Sequence, residues 1–309
     1  MLLKKNIPIK YVFGKIKYEV LLVTLYGLII EIVYKNFEIT NISINMTVPT
    51  VLGTIISLLL AFRSNQAYDR WWEARIIWGS IVNDSRTLAR QVLNLMDDPY
   101  QPENIKEFKN RIIRRQIAWC YALGNGLRKN DPMPTIEKFL PREEYDYIKK
   151  YDNKHLGLTQ LHARDLNNAL KQGWVNPYQQ VEIDSTITRL TDAMGKCERI
   201  KNTVFPATYS LYIHLALHFF IVLLPFGMVD LFGFLMVPVL VVITACFFLI
   251  EKMAIHLQDP FENKPTDTPV LSISRNIERD LKQMMNDDEQ IVHDEQVPKA
   301  FEPEAFYIL

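Results

Sequence analysis

Apolar residues fill four long blocks of the chain, and charged residues are concentrated in the stretches between them. The blocks run from Tyr18 to Tyr34, from about Ser43 to Phe62, from Leu211 to Val229 and from Leu231 to Ile250. An α-helix of about 20 apolar residues crosses a hydrocarbon core of about 30 Å. The pattern therefore predicts four transmembrane helices. For the first block a core helix of a soluble protein is an alternative, because Glu19 and Glu31 interrupt it.

Short connections join the blocks in pairs and fix their directions. Residues 35–42 join the first pair, and Asp230 alone separates the second pair. We expect a tight outer hairpin at Asp230, with Gly227 and Gly233 beside it. The first seventeen residues carry five lysines and no acid, so the positive-inside rule assigns the N-terminus to the cytoplasm. The C-terminal segment is acidic and is expected to return to the same side.

The stretch between the two pairs of blocks has the period of amphipathic helices. Residues 105–117 and 183–197 carry apolar side chains three or four positions apart, which predicts one buried stripe on each segment. The basic run from Lys109 to Arg115 is then expected to form a solvated face. No alternation of period two is long enough to indicate a sheet. We therefore predict an all-α chain that divides into a basic arm with two spans (1–62), a helical cytosolic block (63–205), two further spans (206–250) and an acidic C-terminal segment (251–309).

Composition and motifs limit the possible functions. The chain has 35 Lys and Arg residues and 35 Asp and Glu residues. Because these charges balance, the net charge gives no reason to expect nucleic acid as a partner. Cys120, Cys197 and Cys246 fit neither a disulfide framework nor a metal pattern and are expected to be core residues. There is no H-E-x-x-H, G-x-S-x-G or phosphate-binding loop, so we expect neither an enzyme nor a cofactor. His214 and His218 lie four residues apart, which suits two interhelical hydrogen bonds, a metal pair or a proton-sensitive site.

The second apolar block continues into a charged segment without a helix breaker. Apolar residues predominate from Pro49 to Phe62, and the charged side chains that follow are Arg63, Asp69, Arg70, Glu73 and Arg75. One continuous helix is therefore predicted to leave the membrane and enter water. Such a helix is suited to line a passage between two compartments.

Three motifs follow one another along the chain. The first consists of Arg63, Asn65, Asp69, Arg70, Trp71, Trp72 and Glu73, with Trp78 and Gly79 after it. The second is Cys197-Glu198-Arg199-Ile200 with Thr203, Pro206 and Tyr209, and the third is Asp259-Pro260-Phe261. Together they resemble the bestrophin family in its bacterial form. The resemblance covers nearly the whole chain.

The resemblance implies a homopentameric channel in the bacterial inner membrane, with both termini in the cytoplasm, that conducts chloride or other small monovalent ions. In that family the second span supplies the narrow neck of the pore. Counted from Arg70-Trp71-Trp72, the neck positions become Thr54, Leu58 and Phe62, and their spacing of four places them on one helix face. Thr54 departs from the bulky aliphatic residue expected in the top ring. The partners implied are further copies of the chain, membrane lipids and permeant ions.

The charged residues after the neck have two interpretations. Arg63, Arg70 and Arg75 either attract anions to the inner mouth or act as interhelical struts. The candidate partners for such ion pairs are Asp69, Glu73 and Glu198. We favour the structural interpretation of the motif. Because the pore exposure of the acids is open, a cation-selective channel of the same fold is an alternative to an anion channel. A secondary transporter is a further alternative, although the two halves do not repeat.

The eukaryotic branch of the family carries an acidic calcium clasp after the Asp-Pro-Phe element. The corresponding stretch here is residues 262–267, in which Lys264 places an ammonium group where an acid is expected. Calcium takes roughly six to eight oxygen ligands. Asp267 is the clearest remaining ligand candidate, and one carboxylate does not supply that many ligands. We therefore predict no metal site and no calcium activation through this stretch.

Overall fold

The computed structural model of the chain describes residues 9–36, 43–98, 102–203 and 205–286. Every regular element in these ranges is helical, which confirms the all-α class. The α-helices are α1 (Ile9–Gly14), α2 (Lys17–Asn36), α3 (Thr47–Leu95), α4 (Pro102–Leu127), α5 (Met133–Ile136), α6 (Arg142–Lys149), α7 (Lys154–Lys171), α8 (Pro177–Asn202), α9 (Ala207–Phe232), α10 (Met236–Leu257) and α11 (Val270–Met284). The described residues form two compact units, an apolar unit (9–71 and 205–259) and a polar unit (72–203 and 260–286).

Helix α3 is the longest element, with 49 residues. The side-chain oxygen of Asn45 caps its N-terminus, because it accepts hydrogen bonds from the backbone N–H and the hydroxyl of Thr47 at 2.9 and 2.6 Å. Pro49 lies in the first turn, where its missing N–H has no intrahelical partner to lose. No other proline occurs in α3, and the helix continues unbroken from the apolar block into the charged segment. The single continuous helix predicted from the sequence is confirmed.

The apolar unit contains α2, the first part of α3, α9 and α10, whose aliphatic and aromatic side chains form one core. Within the described ranges, two helical stretches are long and apolar enough to cross a membrane: Thr47–Leu95, and Ala207–Leu257, which includes both α9 and α10. Helix α2 carries Glu19, Glu31 and Lys35 and is not among them. Glu31 is buried and accepts a hydrogen bond from Lys35 at 2.7 Å, so part of this charge is paired within the helix.

The connection between α9 and α10 differs from the expected hairpin. Gly227 lies inside α9, where an added Cβ would be only 2.7 Å from Cγ of Pro49. Its role is to let the start of α3 approach α9, and its assignment to the outer hairpin was wrong. Gly233 forms the turn instead, with a φ of +47° that other residues rarely adopt. Asp230 lies in the last turn of α9 and accepts a hydrogen bond from the Tyr34 hydroxyl.

The polar unit is a helical bundle in which α4 packs against α5, α7, α8 and α11. The apolar stripe predicted for α8 is confirmed, because all its members are buried: Ile183, Ile187, Leu190, Met194 and Cys197. The same holds for the apolar positions of α4, which lie in the core of the unit.

The basic run on α4 is not one solvated face. Arg115 is fully buried, and its guanidinium donates to both oxygens of Glu144 and, at 2.7 Å, to Oδ2 of Asp165. Burial lowers the pKa of Arg115, but the two carboxylates more than offset this effect and leave that pKa raised. The prediction was wrong for Arg115 because its partners come from α6 and α7, whereas Arg111 on the same helix stays half-exposed.

Candidate functional site

Thr54, Leu58 and Phe62 share one exposed face of α3. All three side chains are exposed, Leu58 by 58% and Phe62 by 56%. Successive residues turn by about 100° around a helix and rise by 1.5 Å, so a spacing of four keeps the three side chains within about 80° and about 6 Å apart along the axis. Between them, Ile56 and Leu60 point into the core of the apolar unit and are buried.

The exposed face extends beyond these three positions in both directions. Val51 and Ile55 precede Leu58, and Asn65 and Asp69 follow Phe62, all exposed. The steps alternate between four and three residues, the heptad spacing of a helix face that meets other helices. The face is apolar up to Phe62 and polar after it. Within a single copy, none of the described residues covers this face.

Hydroxyl groups along this part of α3 are bonded to the helix backbone. The Thr54 hydroxyl donates to the carbonyl of Thr50 at 2.9 Å, and the Ser57 hydroxyl donates to the carbonyl of Gly53 at 2.7 Å. The Thr54 proton is therefore directed along the helix, and its methyl group and an acceptor oxygen remain for the exposed face.

The two arginines of the first motif point away from the exposed face. Each follows an exposed position by one residue and is therefore turned by about 100° from it. Nη1 of Arg63 lies 3.8 Å from Oε1 of Glu251, and Nε of Arg70 donates to the carbonyl oxygen of Gln258 at 2.9 Å. Glu251 lies in α10, and Gln258 directly follows its last residue. Arg63 thus connects α3 to α10, and Arg70 connects α3 to the residue after α10. For Arg63, the expected pairing with Asp69, Glu73 or Glu198 was wrong.

Glu251 has a second partner within the apolar unit. Arg63 and Glu251 are 3% and 1% exposed, and Nδ1 of His214 on α9 donates to the same Oε1 at 2.9 Å. Nδ1 of His218 donates to the backbone carbonyl of His214 at 2.8 Å. One of the two expected interhelical hydrogen bonds is therefore present. Among the described residues, no group of three or more His, Cys, Asp or Glu side chains is arranged to hold a metal.

The remaining motif residues in the polar unit have mostly structural surroundings. Trp78 is fully buried, whereas Trp72 is half-exposed. Glu73 pairs with Arg199. Glu198 accepts hydrogen bonds from Asn153 and from Nε2 of His155, at 2.7 and 2.8 Å. Burial lowers the pKa of His155, and the Glu198 carboxylate offsets part of this decrease.

The Asp-Pro-Phe element leads into a tight loop of the polar unit. Phe261 is fully buried, and the backbone N–H of Thr268 donates to the carbonyl of Pro260 at 3.1 Å. The buried Asp267 accepts a hydrogen bond from the Lys264 backbone N–H at 3.0 Å. Burial lowers the pKa of Arg128, and the charge of Asp267 offsets part of this decrease. The Asp267 carboxylate is thus engaged by loop backbone and lies near a guanidinium.

A family model connects these features with known proteins. The model of the bacterial/fungal bestrophin proteins matches residues 9–283, which is most of the chain. The chain belongs to the bacterial/fungal bestrophin family. The resemblance drawn from the three motifs is therefore confirmed.

Curated relatives and solved structures of this family cover most of the chain. A voltage-dependent anion channel-forming protein of Nostoc sp. is 29% identical over 271 residues, 87% of each chain. The voltage-dependent anion channel-forming protein YneE of Escherichia coli K12 is 27% identical and covers 91% of this chain, with 90% of its own length matched. A crystal structure of a bacterial bestrophin homologue from Klebsiella pneumoniae has a TM-score of 0.81 at 28% identity and covers 88% of this chain and 98% of that one. The chain is accordingly a membrane protein with the helical fold of bacterial bestrophins.

The partners of Arg63 and Arg70 were missed by the sequence analysis. Glu251 and Gln258 are separated by seven residues, as are the two arginines. Such matched spacing on two helices is the signal that links them, because seven residues return to nearly the same side of a helix. Glu251 was an additional hint, since it stands at the end of a long apolar block, where an acid is expected to need a partner.

Proposed function

We propose that five copies of the chain assemble around a central axis as an ion channel, with the exposed face of α3 as the pore lining. The observation that carries this proposal is the uncovered apolar face from Val51 to Phe62. The other side of the same helix is packed against its own chain, and an extended uncovered apolar surface is typical of a functional interface. The names of the relatives, voltage-dependent anion channel-forming proteins, support conduction of anions, and we propose chloride and other small anions as the permeant ions.

The gate of this channel is the ring of Phe62 side chains together with the ring of Leu58 side chains. A narrow apolar ring gates by dewetting, since an ion must shed water there and receives no ligands in return. Thr54 forms a third and weaker ring. Its acceptor oxygen and methyl group offer an ion some hydration at that level, so the barrier rests mainly on the two apolar rings.

In this proposal the chain crosses the bacterial inner membrane four times, with α2, the first part of α3, α9 and α10 as spans and both termini in the cytoplasm. The lysines of residues 1–17 support this orientation through the positive-inside rule. The partners are the other four copies, membrane lipids and the permeant ions. The protein is not an enzyme and needs no cofactor.

Flux through liposomes that contain the purified protein tests this function. Rapid passive flux of a monovalent salt, which grows linearly with its gradient, is expected of a channel. Saturable flux with a fixed stoichiometry between two solutes would contradict the proposal and favour a secondary transporter.

A cation-selective channel of the same fold is the second candidate, and the position of Asp69 favours it. Asp69 is exposed on the lining face below Phe62, and among the described residues it has no ion-pair partner. Arg63 and Arg70 are turned toward α10 and do not balance it. Five copies would place a ring of carboxylates about 10 Å below the Phe62 ring. Such a ring attracts cations and repels anions.

Reversal potentials under a tenfold salt gradient distinguish the two candidates. A perfectly selective pore reverses at about 59 mV, and this potential has opposite signs for a cation-selective and an anion-selective pore. We expect Asp69→Asn to move the reversal potential toward the chloride value in either case. Asp184→Asn is the control, because it removes the same charge from an exposed position of α8. A reversal potential that both substitutions leave unchanged would remove Asp69 from the pore lining.

A further inference from the structure

The buried carboxylate of Glu251 lies between two basic side chains from different helices. Oε1 of Glu251 is 3.8 Å from Nη1 of Arg63 on α3 and 2.9 Å from Nδ1 of His214 on α9. Both basic groups therefore approach one and the same oxygen. Arg63 directly follows Phe62, the residue proposed for the gate, so whatever holds Arg63 also sets the position of that part of α3.

The bond between His214 and Glu251 fixes where a further proton can bind. A carboxylate only accepts hydrogen bonds, so Nδ1 of His214 carries the proton that it donates. In the neutral ring, Nε2 is then the free base. The His214 side chain is 51% exposed, which leaves the ring accessible to water. Uptake of one proton at Nε2 turns the neutral donor into a cation and keeps the Nδ1–H bond to Glu251 in place.

Arg63 holds Glu251 by charge alone. The distance of 3.8 Å is too long for a hydrogen bond, and Nε and Nη1 of Arg63 are buried without a hydrogen-bond partner among the described residues. A protonated His214 competes for the same carboxylate with a short charge-assisted bond and also repels the guanidinium. The ion pair that connects α3 to α10 beside the gate is therefore weakened when His214 is charged.

We propose, on the basis of the channel function above, that Glu251 is a positioning residue for the gate and that His214 makes its hold on Arg63 dependent on pH. Acidification loosens the attachment of α3 next to Phe62 and raises the current. Glu251 never touches the permeant ion in this mechanism; it acts through Arg63.

Other titratable groups around His214 do not supply a competing carboxylate at hydrogen-bond distance among the described residues. Glu19 pairs with Lys252 at 3.0 Å, so these two charges largely balance each other. The His218 ring lies 4.2 Å from the His214 ring, centroid to centroid, but donates to a backbone carbonyl. Among the described residues, the charged and titratable groups that interact in this region are Arg63 from α3, Glu251 and Lys252 from α10, Glu19 from α2, and Tyr209 and His218 from α9 itself.

The test is the current of the full-length channel in planar bilayers between about pH 8 and pH 5, where histidine side chains titrate. We expect the current to rise by about fivefold or more on acidification, the size of a typical coupling between two sites. His214→Gln keeps an amide donor toward Glu251 but takes up no proton, and it should abolish the rise. His218→Gln is the matched control one helical turn away, and it should retain the rise.

A current that stays constant or falls on acidification would overturn the proposal, as would a rise that persists in His214→Gln. The ring ¹⁵N signals of the histidines, recorded by NMR at about pH 8, provide a readout that does not require conduction. In the unchanged chain the His214 signals should show the proton on Nδ1, and Glu251→Gln should change these signals, whereas the signals of the polar-unit histidines should stay the same. An NMR difference without any current at any pH would contradict the channel function and leave the coupling intact. Identical His214 signals in both chains would contradict the coupling.

Discussion

At the scale of single residues, Phe62 has the clearest physical role. It is a large aromatic side chain, more than half exposed, on a helix whose other side buries Ile56 and Leu60. Leaving such a ring uncovered has a free-energy cost in water, so a lining or an interface is the expected reason for its position. The exposure of Leu58 supports the same interpretation one turn earlier.

Replacement of Phe62 by alanine should open the proposed gate. Alanine removes most of the apolar ring, and the wider opening holds water and lowers the barrier to ion entry. We expect the current to increase by about tenfold or more, which corresponds to a barrier lower by about 1.4 kcal/mol. Single-channel recording measures this, with Phe219→Ala as control, because Phe219 is also an exposed phenylalanine and lies on α9.

An unchanged current in Phe62→Ala would remove Phe62 from the gate. The Thr54→Val variant gives an independent check of the upper ring. Because the Thr54 hydroxyl already donates to the helix backbone, valine should change the current much less than the Phe62 substitution does.

Some residue-level predictions depended on partners that a sequence does not reveal. The exposed face of α3 was predictable, because a spacing of four along one helix is a local property. The burial of Arg115 was not, since Glu144 and Asp165 lie 29 and 50 residues away along the chain. A basic run without known partners is correctly expected to face water, and only the fold supplies the exception.

At the scale of elements, α7 contributes a buried histidine that is expected to make stability depend on pH. His162 is 3% exposed, and neither ring nitrogen has a hydrogen-bond partner among the described residues. Burial and, secondarily, the charge of Arg115 lower its pKa well below the ordinary value. Below about pH 6.5 the unfolded chain therefore binds a proton that the folded chain does not.

The stability that the neutral His162 side chain contributes is fully present above about pH 6.5. Below that value the free energy of unfolding falls by about 1.4 kcal/mol per pH unit for each such histidine. His162→Leu should make the thermal midpoint fall less steeply between pH 7 and pH 5, as measured by circular dichroism. His155→Gln should have a smaller effect, because Glu198 offsets part of the shift in its pKa. An equally steep decrease in His162→Leu would contradict this account.

The helices themselves were largely predictable, and their ends were less so. The apolar stripe of α8 and the continuity of α3 follow from local periodicity and from the lack of a breaker. The end of α9 does not, since Gly227 looks like a turn residue and in fact relieves a contact with Pro49, which lies far away in sequence. A glycine that permits close packing and a glycine that permits a turn are indistinguishable in a single sequence.

At the scale of the whole molecule, the proposed pentamer gives a direct prediction. Native mass spectrometry of the protein released from detergent micelles or nanodiscs should give the mass of five chains of 36.1 kDa each. The physical reason is that the exposed α3 face is closed off from lipid only when copies surround a common axis. A mass of one or two chains under conditions in which the channel conducts would contradict the pentamer.

The two faces of α3 also determine how the length of this helix can change. Arg63 and Arg70 reach Glu251 and Gln258 because both pairs are seven residues apart and therefore in phase. Insertion of one residue after Arg63 would rotate the following positions by about 100° and turn Arg70 away from α10. Insertion of seven residues would restore the phase but displace Arg70 by about 10 Å along the axis. Functional length variants of this segment should therefore carry phase-preserving insertions, such as seven residues, in α3 and in α10 together, whereas insertions that rotate Arg70 away from its partner should be lost.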